Sequence, residues 1–331
     1  MHLLNRREAL AWIGGTGLSL CSAKFSSAQS AAPKNPPNAG EDDVPIYHSG
    51  TQLVDLHVSV LDKSGKLVTD VPESAFKVYE NAIEQPIKLF RREDVPVSMG
   101  IIIDNSGSMR DKRAKVAAAS LALVKASNQL DEVFIVDFND DAYLDQPLTS
   151  DIKKLEMALD KIDSKGGTAM RDAIGMSLDY VKDKGKREKK VLLVVTDGND
   201  NTSNESLEQL VRRAQRSEVL IYCIGLLSEE EPREARSAKR ALKALAEASG
   251  GLDYYPKDLA EVERITPQVA HEIRNQYLLA YSPTNTALDG TYRKIEVKVK
   301  GFGNPNVRTR SGYYATPEPV SKSAAAAATK K

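Results

Sequence analysis

Asp104-Asn105-Ser106-Gly107-Ser108 follows the apolar run Ile101-Ile102-Ile103 without a break, so one carboxylate and two hydroxyls at alternate positions leave the end of a buried strand together. A second apolar run, 191–195, ends in Thr196-Asp197-Gly198 and carries another carboxylate to the same edge of a sheet. Between them, Gly166-Gly167-Thr168 offers a further hydroxyl from a glycine-kinked loop just ahead of a helix. Asp104, Ser106, Ser108, Thr168 and Asp197 are hard oxygen donors, which suit Mg²⁺ or Mn²⁺ and are wrong for zinc or copper. Two carboxylates and three hydroxyls leave such a cation strongly Lewis acidic and short of the near-octahedral shell that Mg²⁺ demands. Water or an oxygen from a partner must complete it, and an Asp or Glu carboxylate on another protein satisfies charge and geometry together. Taken singly, Asp104 and Ser106 read as helix caps and Asp197-Gly198-Asn199-Asp200 as a turn. Their joint occurrence, each after a buried strand or before a helix, favours the cation site.

The elements that must position these groups are legible as a pattern. The runs 99–103, 133–138, 191–195 and 219–224 lack polar alternation and read as strands buried on both faces. Helical spacing separates them. Ile152, Leu155, Leu159 and Ile162 share one face, with Thr149 or Ser150 as N-cap, and further helices are expected over 111–128, 169–183, 206–216 and 233–249. Gly250 and Gly251 stop the last of these. Such alternation predicts an α/β fold, a doubly wound and mainly parallel sheet with helices on both sides, whose sites sit at the carboxyl ends of the strands. The flanks are strand-rich instead. Residues 53–61 alternate through Val54, Leu56, Val58 and Val60, then turn at Asp62-Lys63-Ser64-Gly65, with strand-like pieces at 76–79 and 87–90. After a helix near 258–275 come strand-like pieces at 277–281, 292–299 and 307–314. Either flank alone buries too little surface to be stable, so the two are expected to pair into one β-sandwich-like unit with the α/β unit inserted between them.

At the five oxygen donors the sequence resembles the von Willebrand factor type A domain, whose metal-ion-dependent adhesion site (MIDAS) has the pattern Asp-x-Ser-x-Ser, then Thr, then Asp. The resemblance implies that Ser106, Ser108 and Thr168 position the metal while Asp104 and Asp197 bind it directly or through water. It also implies a ligand carboxylate in the open position and an antiparallel edge strand at 142–147. In integrin β-subunit relatives a downstream acidic pair forms a neighbouring calcium site; here Asp111 matches the first and Lys112 replaces the second, so that site is not expected. A longer similarity, over about residues 50–315, is to von Willebrand factor A-related proteins abundant in acidobacteria. It is carried by 54–92, by Gly166-Gly167-Thr168-Ala169-Met170-Arg171-Asp172-Ala173-Ile174, by Tyr277-Leu278-Leu279-Ala280-Tyr281-Ser282-Pro283 and by Arg310-Ser311-Gly312-Tyr313-Tyr314.

Residues 1–30 have the layout of an export signal: Arg6 and Arg7, a short apolar run over 9–20, then small residues ending Ser27-Ala28-Gln29-Ser30. The run is too short and glycine-rich for a stable membrane span. Asn5-Arg6-Arg7 partly matches the twin-arginine signal, with the general secretory route as the alternative, and the destination is periplasmic, cell-surface or secreted. The expected organisation is then a linker at 31–49, an N-terminal β segment at 50–95, the von Willebrand factor A-like unit at 96–275, a C-terminal β segment at 276–316 and a tail at 317–331. The 331 residues carry 46 Lys plus Arg and 46 Asp plus Glu. Loss of Arg6, Arg7, Lys24 and Glu8 with the signal leaves 43 and 45, so no global field recruits nucleic acid or an anionic membrane. The basic cluster 184–190 reads as a solvated loop. Cys21 and Cys223 are too few for a disulfide framework or a cysteine-held zinc, and Cys223 reads as a small buried hydrophobe.

These features favour an exported adhesion or assembly module that binds a protein carboxylate, and not an enzyme. A metal-assisted hydrolase is the competing reading, but no catalytic residue is assigned. No phosphate cradle ending in Lys-Ser or Lys-Thr follows residue 30, and His48, His57 and His271 are scattered. His271-Glu272 begins a zinc-protease-like string, but Asn275 stands where its second histidine belongs, so a surface helix is the better reading. A structural envelope component with an incidental metal site is the third possibility. Tyr277, Tyr281, Tyr292, Tyr313 and Tyr314 suit strand-face packing better than a contact surface.

Overall fold

The computed structural model describes residues 53–92, 94–126, 128–160 and 165–317. The expected export signal, the expected linker at 31–49 and the expected tail beyond residue 317 lie outside the described residues. Strands β1 (Val54–Leu61), β2 (Phe76–Glu80), β3 (Ile83–Gln85) and β4 (Ile87–Arg92) come first. The alternating stretch follows as β5 (Val97–Asp104), α1 (Arg113–Lys125), β6 (Glu132–Phe138), β7 (Ala142–Thr149), α2 (Ile152–Asp160), α3 (Met170–Lys184) and β8 (Lys189–Thr196). It continues through α4 (Leu207–Arg216), β9 (Val219–Gly225), α5 (Pro232–Ser249), β10 (Asp253–Tyr254) and α6 (Leu259–Arg274). Strands β11 (Tyr277–Tyr281), β12 (Tyr292–Val299), β13 (Asn306–Arg308) and β14 (Gly312–Tyr314) close the chain.

The central sheet has the order β10-β9-β8-β5-β6-β7. Its neighbours run parallel except β7, which lies antiparallel on β6 at the edge where the resemblance implies such a strand. All residues of β5 are buried because helices cover both faces. Met99, Ile101 and Ile103 pack with Leu123 of α1 and Val269 of α6, while Ile102 packs with Ile174 of α3, Leu210 of α4 and Leu242 of α5. The unbroken apolar runs of the sequence are the direct consequence: a strand with no wet face has no reason to alternate. Helix α5 ends as its glycines predict, with Gly250 left-handed at φ +90°.

Local details depart from the pattern. Helix α2 is capped not by Thr149 or Ser150 but by Asp151, whose Oδ1 accepts the Lys153 amide at 3.0 Å; a carboxylate caps as well as a hydroxyl. The expected strand over 307–314 is two strands in different sheets, β13 on β1 and β14 on β12. A fourth, unexpected strand, β3, pairs with β2 in the N-terminal flank. Lys189 of the basic cluster turns inward to 4% exposure, and Glu272 is buried, accepting hydrogen bonds from Tyr254 and Gln268. The α6 face that carries His271-Glu272 is therefore partly core.

The flanking strands form two four-stranded sheets, β13-β1-β11-β4 and β14-β12-β2-β3, and each takes strands from both ends of the chain. One apolar cluster joins the two sheets: Leu56, Val58 and Val60 from β1, Phe76 and Val78 from β2, Tyr277 and Leu279 from β11, Ile295 and Val297 from β12. Tyr281 and Tyr313 belong to the same cluster and donate to Glu80 at 2.8 and 2.9 Å. We propose that these strands are one folding unit. Arg92 at the end of β4 faces Tyr277 at the start of β11 in antiparallel register, a gap that a two-residue hairpin turn spans. Replacement of residues 93–276 by Asn-Gly is expected to leave a chain that unfolds cooperatively in urea. A gradual, featureless transition would reject the proposal.

Candidate metal centre

In the parallel register Ile103 of β5 stands opposite Val195 of β8. The two strands therefore release Asp104 and Asp197 at the same, carboxyl edge of the sheet. Both carboxylates are fully buried. Asp104 Oδ1 accepts the Ser106 amide at 2.9 Å and Oδ2 accepts Thr196 Oγ1 at 2.5 Å. Asp197 Oδ1 accepts Ser108 Oγ at 2.9 Å, and Ser108 Oγ lies 3.1 Å from Ser106 Oγ. Asp104, Ser106, Ser108 and Asp197 are thus brought into one continuous set of contacts.

Thr168 reaches the same edge on its own loop, with its Oγ1 3.9 Å from the point where a Cβ on Gly198 would stand. Backbone contacts tie the loops to each other. The Gly107 amide donates to Gly166 O at 3.3 Å and the Lys165 amide to Asn105 O at 2.9 Å. The Thr168 amide donates to Asn201 Oδ1 at 3.0 Å, and Thr168 O accepts the Asn201 amide at 3.1 Å. Gly166 is left-handed at φ +81°, and a Cβ there would stand 2.4 Å from Asp140 Oδ2, so the loop needs glycine for both conformation and space. Asp140 Oδ1 in turn holds the Gly167 amide at 2.8 Å.

The sequence reading missed the supporting residues. Lys112 donates to Asp197 Oδ2 at 2.8 Å, with its side chain 13% exposed. It comes from the turn before α1, and a spacing of four residues from Ser108 does not by itself predict that reach. Thr196, Asn105 and Asn201 are further examples. Asn105 donates to Asp137 Oδ2 at 2.7 Å, which fixes the first loop against β6. Their signal was adjacency to the motif residues, but polar neighbours of a loop are common and carry no direction.

Burial, with the Asp197 charge adding to it, pushes Asp104 up to about 6 against the hydrogen bonds from Ser106 and Thr196 that hold it down. A buried carboxylate raised in this way lacks a sufficient countercharge, and a cation supplies one. Neighbouring oxygens in an octahedral shell with bonds of ~2.1 Å lie about 3 Å apart. The Ser106–Ser108 and Ser108–Asp197 separations of 3.1 and 2.9 Å match that spacing. Ser108 is exposed while Asp104, Ser106, Thr168 and Asp197 are buried, so the open side lies at Ser108. Among the described residues no three His, Cys, Asp or Glu side chains cluster as a metal group, so a cation here would depend on the hydroxyls. The residues fit a hard divalent ion on those terms.

Residues 99–199 match the family model of the von Willebrand factor type A domain. The chain carries a domain of that family. An uncharacterized protein of Borreliella burgdorferi is 27% identical over 176 residues, 51% of this chain and 50% of that protein. Calcium-activated chloride channel regulator 1 of Equus caballus is 26% identical over 169 residues, 49% of this chain and 17% of that protein. The chain thus spans half or less of the length of these curated relatives. Among solved structures, the von Willebrand factor type A protein from Catenulispora acidiphila is similar at a TM-score of 0.47 and 15% identity, over 81% of this chain and 75% of that one.

The raised Asp104 gives a stability prediction for metal-free protein. Its folded value of about 6 lies above the ordinary 3.8, so its favourable contribution is complete below about pH 4 and is lost as pH rises through 6. Asp104→Asn removes the buried charge. In EDTA at pH 8 the variant is expected to be more stable in urea than the parent by up to about 3 kcal/mol, with the difference vanishing at pH 4. A variant that is destabilised equally at both values would contradict the assignment.

Proposed function

We propose that this chain is an exported protein-binding module, of adhesion or assembly type and not an enzyme, that recognises a partner's Asp or Glu through a divalent cation of the Mg²⁺ or Mn²⁺ kind. Asp104, Ser106, Ser108, Thr168 and Asp197 would hold that cation. The observation that carries this reading is the cross-bonded set of loops at the carboxyl edge of the sheet, which places two buried carboxylates behind an exposed serine. A von Willebrand factor type A domain supports protein interaction as the general role. The described histidines do not join the site: His57 lies in β1 and His271 in α6. Cys223 is fully buried and its thiol is pushed up by burial, which suits packing and not nucleophilic chemistry. Export rests on the composition of residues 1–30, and among the described residues no helix is long and apolar enough to cross a membrane.

When bound, the cation supplies Lewis acidity at the exposed side of Ser108. This chain's own part is to hold its ligands in fixed places and to keep water from Asp104. Lys112 sets the strength of the site, because its ammonium and the cation both draw on Asp197.

Affinity capture from envelope extracts, with Mg²⁺ and with EDTA, tests the reading. Recovery of one protein that is strengthened by the ion, and abolished by substitution of one Asp or Glu in that protein, is the expected result. Equal capture by Asp104→Ala and the parent would reject it. For the site alone, Lys112→Met is expected to tighten Mn²⁺ binding by about tenfold or more, on Coulomb grounds, as followed by electron paramagnetic resonance of free Mn²⁺. An unchanged or weaker affinity would show that Lys112 does not compete.

A further inference from the structure

At the opposite, amino edge of the central sheet, where β1 and β11 approach the starts of β8 and β9, lies a cavity of about 90 Å³. That is room for several waters or one small ion. Besides Arg91, its wall contains three basic groups with few partners. Lys189, the first residue of β8, is 4% exposed and its Nζ donates to the backbone carbonyl of Ile273; among the described residues no carboxylate lies within ion-pair distance of it. Arg310, between β13 and β14, has a buried Nε with no hydrogen-bond partner, and its guanidinium lies 5.4 Å from the Tyr313 ring centre without an ion pair to any described residue. The His57 ring makes no hydrogen bond to a described residue.

Asp55, Glu188 and Glu218 also line the cavity, but all three are exposed, whereas Lys189 is buried and His57 and Arg310 are half-buried. Asp55 and Glu218 act on Arg310 through space without an ion-pair contact, and burial raises Asp55, so these acids share the cavity with the bases. Desolvation there lowers His57 to about 3, with the Lys189 and Arg310 charges adding to it, and lowers Lys189 to about 7. A wider groove of about 570 Å³ shares Glu218 and Arg310 with the cavity and adds Lys182, Lys190 and Arg216, extending the positive surface outward. Buried cationic groups with no carboxylate in contact are costly, and an oxyanion that accepts from them lowers that cost.

We propose that this pocket binds a small oxyanion, the size of phosphate or a short carboxylate, between Lys189 and Arg310 with His57 alongside. The basic cluster at 184–190 thereby gains a role, through Lys189, that a solvated loop does not explain. The site spans both parts of the fold, since His57 lies in β1, Arg310 in the connection between β13 and β14, and Lys189 in β8 of the central sheet. Backbone contact already brings them close: a Cβ on Gly250, at the end of α5, would stand 2.5 Å from the Arg310 amide. A bound anion would pin the two parts together. The site is separate from the candidate metal centre, because β8 starts at Lys189 and ends just before Asp197, a strand length of about 25 Å.

Isothermal titration of EDTA-treated protein at low salt, with inorganic phosphate and acetate in separate arms, tests the proposal. One-site saturable binding is expected in at least one arm: phosphate alone assigns a tetrahedral anion, and acetate alone assigns a carboxylate. Arg310→Gln and Lys189→Met should each weaken it by about tenfold or more. If Lys189→Met does not fold, the half-exposed Arg310→Gln decides. Absence of saturable binding in both arms, or undiminished binding by Arg310→Gln, would overturn the proposal.

Discussion

The constraint on which this molecule turns is the burial of two carboxylates at the ends of adjacent strands. Asp104 and Asp197 leave β5 and β8 where the sheet stops, too deep for water and close enough to repel each other. Charge in such a place must be neutralised or shared. Thr196, Ser106 and Ser108 share it through hydrogen bonds, and Lys112 neutralises part of it. The loops that supply these groups must then be held against one another, which explains the contacts of Gly107 with Gly166 and of Thr168 with Asn201. Fold and site are one argument: the parallel register of β5 and β8 puts the charges together, and the loops are shaped to tolerate them.

Much of this could be read in the sequence because burial on both faces leaves a strong imprint. The apolar runs of β5, β6, β8 and β9, interrupted only by Asp137 near the end of β6, have no other economical reading, and their order with the intervening helices gives the sheet. The motif residues were legible for the same reason, since each follows directly from the end of such a run or precedes a helix. What was not legible depended on reach through space. Lys112 is one polar residue among several after Ser108, and nothing in its neighbours tells that it bends back to Asp197. Lys189 looked like part of a wet basic loop, and only the strand start that carries it inward reveals otherwise. The division of 307–314 between two sheets was hidden because both halves have strand-like composition.

The flanking strands give the central sheet a second, independently cored neighbour. Strands from both ends of the chain share one apolar cluster, so the central unit is entered from β4 and left into β11, two strands that lie side by side. Anything bound at the carboxyl edge is therefore presented by a unit whose opposite edge is tied to a sandwich. Polar groups have gathered at that junction too, with Lys189 and Arg310 partly desolvated there. On the two proposals made above, ions at opposite ends of one sheet would stabilise the molecule at two separate places.

The central claim is that the oxygens at the carboxyl edge surround one hard cation. Crystals grown with Mn²⁺ and measured for anomalous scattering test it most directly. The account predicts a single strong peak at this edge, within bonding distance of Ser106 and Ser108 Oγ and bounded by Asp104, Thr168 and Asp197. A map with no peak among these residues, at Mn²⁺ concentrations that saturate solution binding, would contradict it.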